Sequence, residues 1–172
     1  MRFEKISFKQ YCEDCGFSFE ELMELHITRE QMQQQYNDIK LPKRGTKLSA
    51  GYDLFSPVNF SLKVGESIKI PTGIKIQLDN DKVLMCFPRS GLGFKYRLQL
   101  DNTIGVVDAD YYNNVNNEGH IFVKITNDGK ENKSINVEKG DGFAQGIIMQ
   151  YFLTEDDEST DERCGGIGST NS

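Results

Sequence analysis

The sequence predicts an all-β fold, a jelly-roll-like β-barrel carrying a short helical insertion near its N-terminus. Three observations carry this expectation. Apolar residues alternate with polar ones at period two through the middle of the chain, as in Ile68, Ile70, Ile74, Ile76 and Leu78, the pattern of half-buried strands. Turn chemistry recurs between such runs, at Val64-Gly65-Glu66, Asn127-Asp128-Gly129-Lys130 and Lys139-Gly140-Asp141-Gly142, where Gly and Asn supply the positive φ that tight turns need. Many short strands with frequent turns suit a barrel or jelly-roll better than a doubly wound fold.

In chain order, Arg2–Ser7 reads as a first strand. From Phe8 the spacing becomes helical, and residues 8–36 form the insertion. Ser18-Phe19-Glu20-Glu21 fits a capping box, followed by Leu22, Leu25 and Ile27 on one face. Thr28-Arg29-Glu30-Gln31 fits a second, opening a helix over Gln31–Tyr36. The plain role of such a hairpin is packing against the barrel; the sharper one is a surface for a protein partner. Strands follow on both sides of Pro71-Thr72-Gly73, at Val83–Phe87, at Ile121–Ile125 and at Ile135–Val137. His120 starts one of them and needs no function, and Cys86 reads as a small core residue. Residues 1–153 make the β domain. Residues 154–172 are an acidic linker, Glu155–Glu162, and a flexible tail.

The chain has 172 residues, 37% hydrophobic and 27% charged, with a formal net charge of −6. One domain with a small appendage is the expectation. Residues 1–40 carry 5 basic and 8 acidic side chains, residues 41–153 carry 14 and 12, and residues 154–172 carry 1 and 6. The acidity therefore lies outside the central block, so a polyanionic small molecule should meet that block first. This balance argues against duplex nucleic acid as a partner. No apolar run approaches the roughly 18 residues of a membrane span, and Met1–Lys5 lacks the apolar core of a signal peptide, so a cytoplasmic location is expected. Cys12 and Cys15 form a lone C-x-x-C with too few further ligands for a structural zinc. Two histidines in the chain disfavour a histidine-based triad.

Some stretches carry chemistry. Pro88-Arg89-Ser90-Gly91-Leu92-Gly93 can present a cation, a hydroxyl and bare amides at the end of a strand, which suits phosphate. Gly105-Val106-Val107-Asp108-Ala109-Asp110-Tyr111 holds two carboxylates two apart; on a strand they would share a face. Such a pair could activate a water or bind a metal, with an aromatic to wall a pocket. Arg163-Cys164-Gly165-Gly166-Ile167-Gly168-Ser169-Thr170 puts one guanidinium ahead of small and hydroxyl residues, a composition able to wrap phosphates and expected to be mobile until an anion binds.

Together with Ala50–Ser56 and Gly140–Gln145, these stretches resemble, in order and spacing, the five motifs of the trimeric dUTP pyrophosphatase (dUTPase) family. The motifs correspond to Ala50–Ser56, Pro88–Lys95, Asn102–Tyr111, Gly140–Gln145 and Arg163–Thr170, within Leu41–Asn171. The resemblance implies a jelly-roll-like homotrimer with active sites shared between chains. It implies hydrolysis of dUTP to dUMP and pyrophosphate with Mg2+, which keeps uracil out of DNA and supplies dUMP for dTMP synthesis. Asp108 matches the water-activating carboxylate, Asn102 the reader of the uracil edge, and Tyr111 the aromatic that packs on deoxyribose. Arg89, Ser90, Gly91 and Gln145 match phosphate-side groups, as do Arg163, Gly168, Ser169 and Thr170 in the tail. Ile167 falls where an aromatic often covers the base. Asp53 matches a carboxylate near metal-bound waters, with no direct protein ligand to the metal expected, and Asp110 is expected to pair with Arg89. Gly142 replaces a frequent basic residue, and Tyr112–Glu118 is longer and richer in Asn than usual. Two alternatives stand beside this reading. One is a dCTP deaminase-like enzyme, whose glutamate position is taken here by Lys124. The other is a regulatory protein on the same fold that uses the insertion.

Overall fold

The computed structural model describes residues 1–18, 24, 26–161, 163 and 165. Among them the chain forms β1 (Arg2–Lys5), α1 (Phe8–Asp14), α2 (His26–Asn37), β2 (Lys43–Arg44), β3 (Tyr52–Phe55), β4 (Phe60–Leu62), β5 (Ser67–Pro71) and β6 (Ile74–Gln77). Then come β7 (Lys82–Pro88), α3 (Ser90–Tyr96), β8 (Leu98–Leu100), β9 (Gly105–Val107), a 3-10 turn (Ala109–Tyr111), β10 (Phe122–Asn127), β11 (Ile135–Val137) and β12 (Gly142–Gln150). The main sheet runs β2-β3-β12-β7-β9, faced by β5-β10-β8, with the pairs β1-β6 and β11-β4 completing the walls. All pairings among these strands are antiparallel. The all-β, jelly-roll-like expectation holds.

Period-two alternation becomes burial. In β10, Val123 and Ile125 face inward while Lys124 faces out; in β11, Ile135 and Val137 are buried and Asn136 is not. These meet Leu54, Leu84 and Phe143 in one core. Burying a Leu, Ile or Phe side chain contributes roughly 1.5–3 kcal/mol. The register of β12 slips between Gly142 and Ala144, a bulge that sends Phe143 into the core, edge-on to Phe60 at 6.2 Å between centroids.

A second cluster joins Tyr11 and Cys12 of α1, Met32 of α2, Ile6, Ile39 and Ile74 of β6. The helices lie close on Gly73, whose φ is +73°. A Cβ there would sit 2.3 Å from Ile39 Cδ1, so both conformation and space demand glycine. Ser7 caps α1 by accepting the Gln10 N–H. The second capping box does not act as one: α2 already runs from His26, so Thr28 is interior to the helix. A local cap signal loses wherever the helix continues upstream of it. Phe19–Leu22 and Leu25, invoked for the first box, fall outside the described residues. The stretch after Pro88 is the short helix α3 rather than a plain turn.

His120 precedes β10 by two residues and is fully buried. The Gly73 N–H donates to its Nε2 at 2.7 Å, so the neutral ring carries its proton on Nδ1 and donates to Asp14 Oδ2 at 2.5 Å. One imidazole thus ties α1 to the β5–β6 turn, a structural duty where none was expected. Burial pushes its pKa below the usual value; Lys69 acts in the same sense, while Asp14 and Glu118 oppose.

The unfolded chain protonates this imidazole below about pH 6.5, whereas the buried ring resists. Its stabilising contribution is therefore whole above about pH 6.5 and is lost as pH falls toward the depressed folded value. Urea midpoints should fall between pH 7.5 and 5.5. His120→Gln should cost about 2 kcal/mol at pH 7.5 by orphaning buried partners, and should flatten that part of the pH dependence. Parallel losses in wild type and variant over this range would acquit His120.

Candidate active site

The site residues fall into two groups at opposite ends of β7. The first surrounds a cleft of about 650 Å³ lined by Asn102, Asp108, Tyr111, Lys124, Lys69 and Arg163, among others, with Cys86 and Leu100 also in its wall. Strand β9 pairs with β7 and then stops, delivering Asp108 to the rim. The two carboxylates do not share a strand face. Asp108 instead opens the 3-10 turn, and that turn carries Asp110 round to the same cation. Arg163 Nη2 meets Asp108 Oδ2 at 2.7 Å, its Nε meets Asp110 Oδ1 at 2.8 Å, and its guanidinium lies 5.7 Å from the Tyr111 ring centroid. Its side chain is 11% exposed. The remaining tail positions invoked above, Ile167, Gly168, Ser169 and Thr170, lie outside the described residues.

Asn102 sits in a tight connection after β8. The Asp101 N–H donates to Lys124 O (3.0 Å), Thr103 N–H to Leu100 O (2.9 Å) and Ile104 N–H to Asn102 O (2.7 Å). Asp101 pairs with Lys124 Nζ at 2.8 Å and accepts from the Thr126 hydroxyl. Lys124 first, then Thr126, holds its carboxyl below the usual range. Asp101 and Lys69 escaped the sequence reading, and Lys124 entered it only as a replaced glutamate. An opposite-charge pair across adjacent strands is a recognisable device, but only once the strand order is known. Tyr111 is buried; its hydroxyl donates to His120 O (2.9 Å) and accepts from Asn117 Nδ2 (2.8 Å).

The second group gathers where β7 ends beside β12 and β3. Arg89 Nε pairs with Asp53 Oδ1 at 3.1 Å and its Nη1 donates to Gly142 O at 3.2 Å. Within the chain Arg89 therefore does not pair with Asp110, contrary to expectation, because Arg89 follows the C-terminal end of β7 while Asp110 follows β9 beside the N-terminal end of β7. Gln145 is opposite both Asp53 and Phe87 in the sheet and donates to Pro88 O at 3.1 Å. Ser90 and Gly91 open α3 directly after Arg89. The glycine at position 142 acquires a reason here: a Cβ would stand 2.8 Å from Arg89 Nη1. The guanidinium lies where a larger residue would begin. A cation, a hydroxyl, an amide side chain and backbone N–H groups in one place can hold phosphate oxygens.

The cysteines offer no nucleophile among the described residues. Burial pushes Cys12 and Cys15 each up to about 11 and Cys86 up to about 12, so all three stay thiols.

Comparison with known proteins agrees with this geometry. The dUTPase family model matches residues 37–171, which takes in both groups and begins at the last residue of α2. A deoxyuridine 5'-triphosphate nucleotidohydrolase of Lactococcus lactis is 42% identical over 134 residues, 77% of this chain and 88% of the relative. One from Desulfitobacterium hafniense is 37% identical over 139 residues, 76% of this chain and 87% of the relative. The crystal structure of dUTPase from Streptococcus mutans superposes with a TM-score of 0.60 at 39% identity, covering 69% of this chain and 91% of that one. A dUTPase of phage phi11 of S. aureus, described as coordinating a structural Mg(II) ion, shares the fold at 22% identity and a TM-score of 0.57, over 72% and 92% of the two chains. With the motifs in order, the fold matched and more than three quarters of the sequence aligned to relatives at over a third identity, the chain belongs to the dUTPase family.

Proposed function

We propose that the chain hydrolyses dUTP to dUMP and pyrophosphate in the cytoplasm, as a homotrimer whose active sites combine residues from different chains. The observation that carries this is the cleft, where Asn102, Asp108, Tyr111 and Arg163 converge. The Asn102 amide offers both a donor and an acceptor, the complement of the uracil edge. Tyr111 supplies a flat wall for the deoxyribose. Asp108 takes the proton of a water lined up on the α-phosphorus. While Arg163 holds Asp108, that carboxylate's Oδ2 is occupied by the guanidinium rather than by a water. A triphosphate competes for the guanidinium and draws it away, so substrate binding itself frees the base. The tail residues Gly168, Ser169 and Thr170 then donate to phosphate oxygens, with Ile167 over the base.

Distance supports sharing between chains. Val107, next to Asp108, pairs with Leu84, and Arg89 lies five residues further along, about 16 Å at 3.3 Å per residue. Asp53, Arg89's partner, is on β3, three strand spacings or roughly 14 Å across the sheet from β9. A phosphate chain whose first phosphorus faces Asp108 reaches such a group more readily from a neighbouring chain. Exposed Phe94, Leu48, Phe152 and Val106 supply apolar surface for the assembly.

Among the described residues no three His, Cys, Asp or Glu side chains converge. The oxygen donor of Asp53 beside Arg89 fits Mg2+, which keeps its waters and binds phosphates; Asp53 would accept from those waters. Magnesium, when bound, neutralises charge developing on the phosphates.

Pyrophosphate release from dUTP, with dCTP and UTP as controls, tests the activity directly; hydrolysis of dCTP with dUTP left untouched would overturn it. Asp108→Asn should lower kcat by about 10²–10⁴ while dUTP binding persists, read by steady-state kinetics beside a binding titration. An equal mixture of Asp108→Asn and Arg89→Ala chains, unfolded and refolded together, should recover activity that neither variant shows alone. Recovery fails if each chain builds its own site.

A further inference from the structure

The long, Asn-rich stretch after Tyr111 is a built support for that residue. Asn114 Nδ2 donates to Tyr111 O (3.0 Å) and to Asn117 Oδ1 (2.7 Å), while its Oδ1 accepts the N–H groups of Asn116 and Asn117. Asn117 Oδ1 also accepts the Gly119 N–H at 3.1 Å. With its oxygen committed to those donors, Asn117 must turn its NH2 to the Tyr111 hydroxyl, and the hydroxyl must give its own proton to His120 O. Both bonding directions of the phenol are thereby used, and the side chain is fixed at its far end as well as at Cβ. Asn117 is itself only 9% exposed.

The same stretch is clasped from behind by the N-terminal segment. Glu118 accepts the Ser7 N–H (2.9 Å) and hydroxyl (2.6 Å), Tyr112 donates to Glu4 (2.7 Å), and His120 holds Asp14 of α1. Two features left unexplained by the resemblance, the helical segment and the Asn-rich loop, therefore meet, and both bear on Tyr111.

A wall excludes an added hydroxyl only if it cannot retreat, because a yielding pocket discriminates weakly against one extra polar atom. Precision of that kind comes from a supporting shell that locks the wall in place. We propose that Asn117 is a positioning residue for sugar selection: by anchoring the Tyr111 hydroxyl in a loop braced by α1, it sets the preference for dUTP over UTP. This rests on Tyr111 being the sugar wall.

The test is the ratio of kcat/KM for dUTP to that for UTP. Tyr111→Ala should lower it most. Asn117→Ala should lower it about tenfold. Tyr111→Phe, which removes only the anchored hydroxyl, should lower it to a similar extent, and the Tyr111→Phe, Asn117→Ala pair should fall no further than either alone. A merely structural role for Asn117 would reduce turnover of both nucleotides alike and leave the ratio in place. If Tyr111→Ala lowers the ratio while Asn117→Ala and Tyr111→Phe do not, the positioning role is wrong and the wall survives. If Tyr111→Ala leaves the ratio unchanged, the wall reading itself fails and the inference with it. Should Asn117→Ala not fold, as judged by circular dichroism, Tyr111→Phe decides: an unchanged ratio overturns the proposal.

Discussion

Strand β7 is the interaction on which the arrangement depends. It pairs along its whole length with β12 and, over Leu84–Cys86, with β9. Its inward side chains, Leu84 and Cys86, are buried in the core, so its register cannot slip without turning those residues to the other face. Both halves of the candidate site are hung from it. One end carries Arg89 into contact with Asp53 and Gly142; alongside the other, β9 delivers Asp108 to the cleft. A shift of two residues in either ladder would move the corresponding half by roughly 7 Å.

Electrostatics then decides what each half can do before a substrate arrives. Two carboxylates on the 3-10 turn attract one guanidinium, and a largely buried arginine with two anionic partners is a stable resting arrangement. The Asp108 carboxylate is therefore held by a residue whose other natural partner is phosphate. On the second group, Arg89 is already held by Asp53, which fixes the orientation of its planar fork. The same chemistry, cation with carboxylate, thus recurs in both groups.

The N-terminal segment belongs to the same mechanical unit as the barrel. Its cluster shares Ile74 with β6, and β1 adds a strand beside β6. Polar contacts from Glu4, Ser7 and Asp14 reach the loop and His120 on the far side of the connection. Buried imidazole and amide groups with every partner satisfied specify one arrangement more sharply than apolar contact alone. That sharpness is useful where an aromatic ring must hold its position.

By itself the sequence determined what depends on neighbours along the chain. Alternation at Ile68–Leu78, Ile121–Ile125 and Ile135–Val137 gave strands, because side-chain direction in a strand is set by local geometry. Glycines at 65 and 140 marked turns, because only local φ matters there. The ordered motifs pointed to the family by resemblance. Tertiary structure decided everything that needs strands or helices to meet. Arg89 binds Asp53 and not Asp110, since ion pairing follows strand order, which no local signal encodes. Thr28 lies inside a helix because residues upstream extend it. Asp108 and Asp110 converge through a turn, not a strand face. His120, dismissed as the start of a strand, became a fully buried link between α1 and Gly73, and Asn117 became the anchor of Tyr111. In both cases the residue type permits many roles, and burial with particular partners selects one.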